Sequence, residues 1–226
     1  MIPSNHGIGT RPFPVRVMLA CGVIGPLFFI IVFLIQGALR GSGYSPLRHM
    51  VSALSIGGAG WIQSVNFFIS GALILASAVG LRLSMHSSKR SIWGPFLIGL
   101  TGIGLIGAGI FTTDPMNGYP PGTPLVPTGR TTNGSLHDLF GVPVFLGLPV
   151  ACFVFTRLFA RLGERNWAAY SLLSGIGMLV AFVLTSVGLN QVAGLQNFAG
   201  LFQRLTIAIG FFWIALLAAH WLKASG

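Results

Sequence analysis

The residues of this chain able to bind a ligand or do chemistry gather in a few connecting segments. His49 and Ser52 lie in one, Asp114, His137 and Asp138 in another, and Arg204 beside a third. A serine, a histidine and an aspartate are the types needed for nucleophile, base and orienter. Ser52, His49 or His137, and Asp114 are therefore the candidate catalytic residues of a membrane-embedded hydrolase, although no G-x-S-x-G elbow surrounds Ser52. Two histidines and a carboxylate can also hold zinc with one position open to water. His49, His137 and Asp114 are the candidate metal ligands. No H-x-x-x-H spacing joins them, so such a site has to be assembled across loops, and no other cofactor is expected. A third arrangement needs no reaction: Arg204, Asp114, His49, His137, Gln203 and Asn66 as an outward-facing polar site for a lipid headgroup, a small ligand or a partner. The residue types leave open whether the chain is an enzyme.

The elements that must position these residues are apolar helices. Charged residues make up 7% of the 226 residues and hydrophobic ones 53%, with a mean hydropathy of +0.82. Soluble domains average about 25% charged residues, and so few charges cannot cover a water-facing surface. Six stretches have the roughly 20 residues needed to cross a bilayer: about 15–39, 61–81, 92–112, 139–159, 167–189 and 198–222. The fold expected is an all-α polytopic bundle of six transmembrane helices, forming a single domain over 1–226. The first stretch is too long for a signal-peptide core and no A-x-A pattern follows it. Cys21 and Cys152 both fall inside spans and read as small buried side chains rather than a disulfide.

The net charge of +10 comes from 13 Lys and Arg with no long basic run, which argues against nucleic acid as a partner and for membrane lipids. Arg11, Arg16, Arg82, Lys89, Arg90, Arg157, Arg161, Arg165 and Lys223 fall at one end of the spans. Arg40, Arg48, Arg130 and Arg204 fall at the other. The positive-inside rule then puts both termini in the cytoplasm of a cell inner (plasma) membrane, with loops one, three and five extracytoplasmic. The third span carries glycines at 94, 99, 102, 104, 107 and 109, as close helix packing in lipid requires. Pro26, Pro143 and Pro149 lie within spans, where proline can kink a helix.

In loop one, Ser45 and Pro46 suit a helix start. Leu47, Met50, Val51 and Leu54 then share one face, opposite Arg48, His49, Ser52 and Ser55. This predicts a short interfacial helix, apolar face down on the membrane. Loop three, 113–137, is rich in Pro, Gly and Thr and reads as irregular. Asp114 stands at a helix C-terminus, where the dipole disfavours an anion; an Asp-Pro turn or a cationic partner would each account for it. Ser135 and Asp138 have capping-box spacing, which makes both structural. Arg204 lies inside the sixth span and needs a partner, predicted to be Asp114, with Asp138 the fallback. Asn66, Gln203 and Asn190 lie at a similar depth.

Taken together, RHMVSALSIGGAGWIQSVNFFISG, AGIFTTDPMNGYPPGTP, GSLHDLFGVPVFLGLPVACFVFTRLFA and GLFQRLTIAIGFFWIALLA resemble the bacterial family called Domain of Unknown Function 998, in its actinobacterial form. The resemblance covers nearly the whole chain and implies six spans. Onto its motifs fall His49, Ser52, Asp114, His137, Asp138, Gln203 and Arg204. Many relatives place an acidic residue directly after the serine, where this chain has Ala53. The family also resembles, distantly, eukaryotic six-span proteins of lipid remodelling and autophagy, a resemblance that points towards lipids.

Overall fold

The computed structural model of the chain describes residues 12–41, 43–85, 92–126, 129–192 and 194–223. Arg11, Lys89 and Arg90 of the cation count lie outside them. Among the described residues six helical stretches are long and apolar enough to cross a membrane. They are α1 (Phe13–Leu39), α2 (Gly60–Ser84), α3 (Trp93–Ile110), a composite fourth crossing, α6 (Arg165–Leu189) and α7 (Ala199–Lys223, preceded by a short 3-10 turn). The fourth crossing consists of α4 (Thr132–Val142), a π-helical turn (Pro143–Gly147) and α5 (Leu148–Arg161). Large apolar side chains project outward, Trp61 at 66% and Leu173 at 67% exposure among them. Such a surface suits hydrocarbon and not water. The molecule is a multi-pass membrane protein.

The helices follow one another around a ring. α1 packs on α2, α2 on α3, α3 on α4 and α5, α5 on α6, and α6 on α7, and α7 returns to α1. No hydrophobic drive separates helix from lipid, so close backbone approach has to supply the packing energy. The glycines of α3 provide it on two sides. A Cβ on Gly102 would come within 2.7 Å of the Gly71 carbonyl oxygen, and one on Gly71 within 2.6 Å of the Gly102 oxygen. On its other side, a Cβ on Gly107 would lie 2.2 Å from the Phe140 ring. The interior is aromatic, with the Phe29 ring 5.7, 5.3 and 5.1 Å from those of Phe33, Phe67 and Phe211. Cys152 is buried, and both cysteines are free.

Three local expectations change. Loop one holds a single 3-10 turn, Ser52–Ser55, and His49, Ser52 and Ser55 are buried along with Met50, Val51 and Leu54. The segment is tucked into the mouth of the bundle instead of lying on the membrane with its polar face to water. Other elements take up its backbone groups: Gly200 N–H donates to the Arg48 carbonyl (3.1 Å) and Leu201 N–H to that of Leu47 (2.8 Å). Gln36 Nε2 donates to the carbonyls of Leu54 and Ala59. Second, the fourth crossing starts at Thr132, because Thr131 caps it by accepting from Gly134 N–H (3.0 Å). Ser135 and Asp138 therefore sit inside α4 and form no capping box. Third, Pro143 opens the π turn. Proline has no N–H for the usual helical bond, and the turn closes one residue wider, with Leu148 N–H donating to the Pro143 carbonyl.

Candidate functional site

Arg204 is the organising cation of loop one. Its Nη1 donates to the carbonyls of His49 (2.8 Å), Gly200 (3.0 Å) and Pro46, and its Nη2 to the Tyr44 hydroxyl. Neutral acceptors thus hold the guanidinium, and neither predicted carboxylate does. Asp138 pairs with Arg130. Asp114 accepts from Thr131 N–H (2.9 Å) and Oγ1 (2.6 Å). The reason is the position of α4: its N-terminus arrives beside Asp114, so the positive end of one helix dipole offsets the negative end of another. Gly134 makes this approach possible, since a Cβ there would lie 2.1 Å from Asp114 Oδ2.

The two histidines have separate surroundings. His49 Nδ1 accepts from Ser45 N–H (2.9 Å), and its ring lies 5.6 and 5.2 Å from those of Tyr44 and Tyr119. Burial, and after it the charge of Arg48, holds its pKa below the ordinary histidine value. Burial likewise raises the Tyr44 hydroxyl, against the opposing pull of Arg204. His137, on α4, has Nδ1 3.1 Å from the Ala108 oxygen and 2.8 Å from the Phe111 oxygen. Carbonyls only accept, so Nδ1 carries a proton and donates to them. Neither ring meets Asp114 through Nδ1, and the Ser-His-Asp relay is not assembled. Among the described residues no three His, Cys, Asp or Glu side chains gather closely enough to hold a metal, so His49, His137 and Asp114 do not form the zinc site considered above.

Part of the candidate set meets instead at a cavity of about 650 Å³. Its polar wall carries Ser52, Thr113, His137, Gln203 and the Arg130–Asp138 pair. Its depth is lined by Phe29, Phe67, Leu105, Ile207 and Phe211. α4 and the end of α6 face each other across it, with Gly141 and Val142 on one side and Phe182, Ser186 and Leu189 on the other. The π turn contributes Val144, Phe145 and Leu146. Gln203 is fixed by accepting from Val51 N–H (2.7 Å). Ser52, His137, Asp138, Gln203 and Asn190 thus share one cavity, whereas His49, Asp114, Arg204 and Asn66 lie outside its lining. Asn66 instead donates to the Phe29 carbonyl at 3.1 Å, deep between α1 and α2.

The family model described as protein of unknown function DUF998 matches residues 23–220. The chain belongs to the DUF998 family. No curated protein and no solved structure is detectably similar to it. The matched segment contains the whole cavity wall and all or most of every crossing, so the site described here is the site of a DUF998 domain and not of an appended element.

Some residues that tie the adjoining loops together, outside the cavity lining, escape a reading by residue type. Tyr44 and Tyr119 face each other edge-on at 5.3 Å, and Arg40 Nε donates to the Tyr119 hydroxyl (2.8 Å). The available signal was that two of the three tyrosines in the chain fall at the same end of the spans. Asn117 and Gln191 both adopt left-handed backbone, φ 56° and 61°. Gln191 Nε2 donates to Asn117 Oδ1 (3.1 Å), and Asn117 Nδ2 to the Arg48 carbonyl (2.8 Å). These bonds knit loops one, three and five together and hold a backbone form that costs a non-glycine residue energy.

Proposed function

We propose that this DUF998 protein binds a bilayer amphiphile, a lipid or lipid-like molecule, in the cavity between α4 and α6. One observation carries the reading: the polar side chains of the cavity lining lie at its loop end, and its depth is aromatic and aliphatic. That gradient matches a molecule with a polar head and an apolar tail. The volume of about 650 Å³ lies inside the range of roughly 300–1,000 Å³ typical of small-molecule sites. Entry from the side between α4 and α6 would let the tail pass from hydrocarbon to hydrocarbon without crossing water. At the wall, Ser52 and the His137 ring can exchange hydrogen bonds with an ester, amide or hydroxyl head, and Arg130 can meet a head that carries negative charge.

The test is a cavity-filling substitution. Gly141 lines the cavity, and a Cβ there would meet only the Phe145 ring, at 3.7 Å, so Gly141→Leu has room to enter the void. Native mass spectrometry of protein purified in mild detergent is expected to show a retained amphiphile on the wild type. The same measurement on Gly141→Leu, with helix content unchanged by circular dichroism, is expected to show its loss. Equal retention by the two proteins, or no retained amphiphile on the wild type, refutes the reading.

A further inference from the structure

We propose that Arg40, Arg48 and Arg204, none of which lines the cavity, form a second site that binds an oxyanion of the phosphate type. The argument starts from charge. The chain has three acidic residues, and each is engaged elsewhere. Asp138 pairs with Arg130, Asp114 accepts from Thr131, and Glu164 pairs with His220 (3.0 Å). Nothing acidic remains for these three arginines.

Arg40 and Arg204 nevertheless both act on Tyr44, and Arg48 and Arg204 both act on His49. Arg204 donates to the Tyr44 hydroxyl and Arg40 to that of Tyr119. The two tyrosine rings touch each other and the His49 ring. Arg48 adjoins His49 in the chain, and its charge holds the pKa of that histidine down, as does that of Arg204. Like charges around one aromatic group repel unless an anion sits among them. The arginines are also unequally satisfied. Arg204 is bound to three carbonyls and Arg40 to that of Ile56, whereas Arg48 makes no side-chain hydrogen bond among the described residues, and its Nε is shut away from solvent without a partner. Gln196 Oε1 is likewise buried without a partner, and its backbone oxygen shares the Asn117 amide with that of Arg48. Arg48 Nε and Gln196 Oε1, each partnerless on residues whose backbone oxygens meet at Asn117, would both be satisfied by an oxyanion that also carries a hydroxyl. Planar guanidinium forks match such oxyanions geometrically. Arg40 follows the end of α1 and Arg204 lies in the second turn of α7. The site is therefore level with the headgroups at the loop-one end, and an anionic phospholipid headgroup is the source nearest to hand.

The test compares wild type with Arg48→Gln. Arg48 is chosen because its side chain holds no other element in place, unlike that of Arg204. In native mass spectrometry after exchange into mixed phosphatidylglycerol and phosphatidylcholine nanodiscs, the wild type is expected to retain phosphatidylglycerol preferentially. Arg48→Gln is expected to weaken that preference about tenfold. A parallel arm adds inorganic phosphate to lipid-depleted protein. A rise in thermal midpoint for the wild type alone identifies a free oxyanion as the ligand, and no rise together with the lipid preference identifies the headgroup. No preference and no rise, or the same values in Arg48→Gln, overturn the proposal. Anionic preference reads this site and total retained amphiphile reads the cavity, so the two readings fail separately.

Discussion

Single residues carry more than one duty at the loop end of this bundle. His49 is an example. Its Nδ1 accepts from Ser45 N–H, a bond available only while that nitrogen is unprotonated, and its pKa is held down by burial and then by Arg48. The folded ring thus takes a proton less readily than the unfolded one, whose pKa is about 6.5. Stability from this group is complete above that value and is lost as pH falls through it towards the lower folded pKa. The unfolding midpoint of the wild type is expected to drop on going from about pH 7 to about pH 5. His49→Asn, whose carbonyl oxygen can still accept from Ser45, is expected to drop less; equal slopes would remove His49 from the account. Residue types were legible in the sequence and pairings were not. Arg204 needed a partner, and Asp114 a partner or a turn, but the sequence could not show that carbonyls of loop one would reach the first and the start of α4 the second. The capping-box spacing pointed to Ser135, whereas Thr131, which Asp114 also engages, takes that place.

Among the elements, the crossings were readable because apolar length is a property of composition. Where polar residues continue a helix, the reading stopped short: α4 runs through Thr132, Asn133, Gly134 and Ser135 before any apolar window begins. The glycine spacing of α3 correctly announced close packing, though not that α2 and α4 would divide its faces. Because the backbones of Gly71 and Gly102 meet reciprocally, Gly102→Val forces α2 and α3 apart and is expected to cost about 1–3 kcal/mol. Gly141→Leu, entering a void, is expected to cost far less. Thermal midpoints of the two variants in one detergent decide between them, and parity would mean that the α2–α3 contact yields easily.

For the whole molecule, the distribution of cations predicts that the loop-one, loop-three and loop-five end faces out of the cytoplasm. Asn133 is exposed at that end and Leu162 at the other. In intact cells a membrane-impermeant maleimide is expected to label Asn133→Cys and to spare Leu162→Cys until the membrane is opened, both in a background lacking Cys21 and Cys152. The reverse pattern would invert the topology. The π turn gives these two ends a further relation. It is one residue longer than an α-helical turn, so the two halves of the fourth crossing are set about 100° out of phase with an uninterrupted helix. Deleting one residue within 143–147 would leave a span that is still long and still apolar, and a hydropathy profile would register no injury. Yet α4 would swing round its own axis relative to α5, carrying His137 away from the Ala108 and Phe111 carbonyls and Asp138 away from the cavity wall. The chain would keep its membrane address and lose its site.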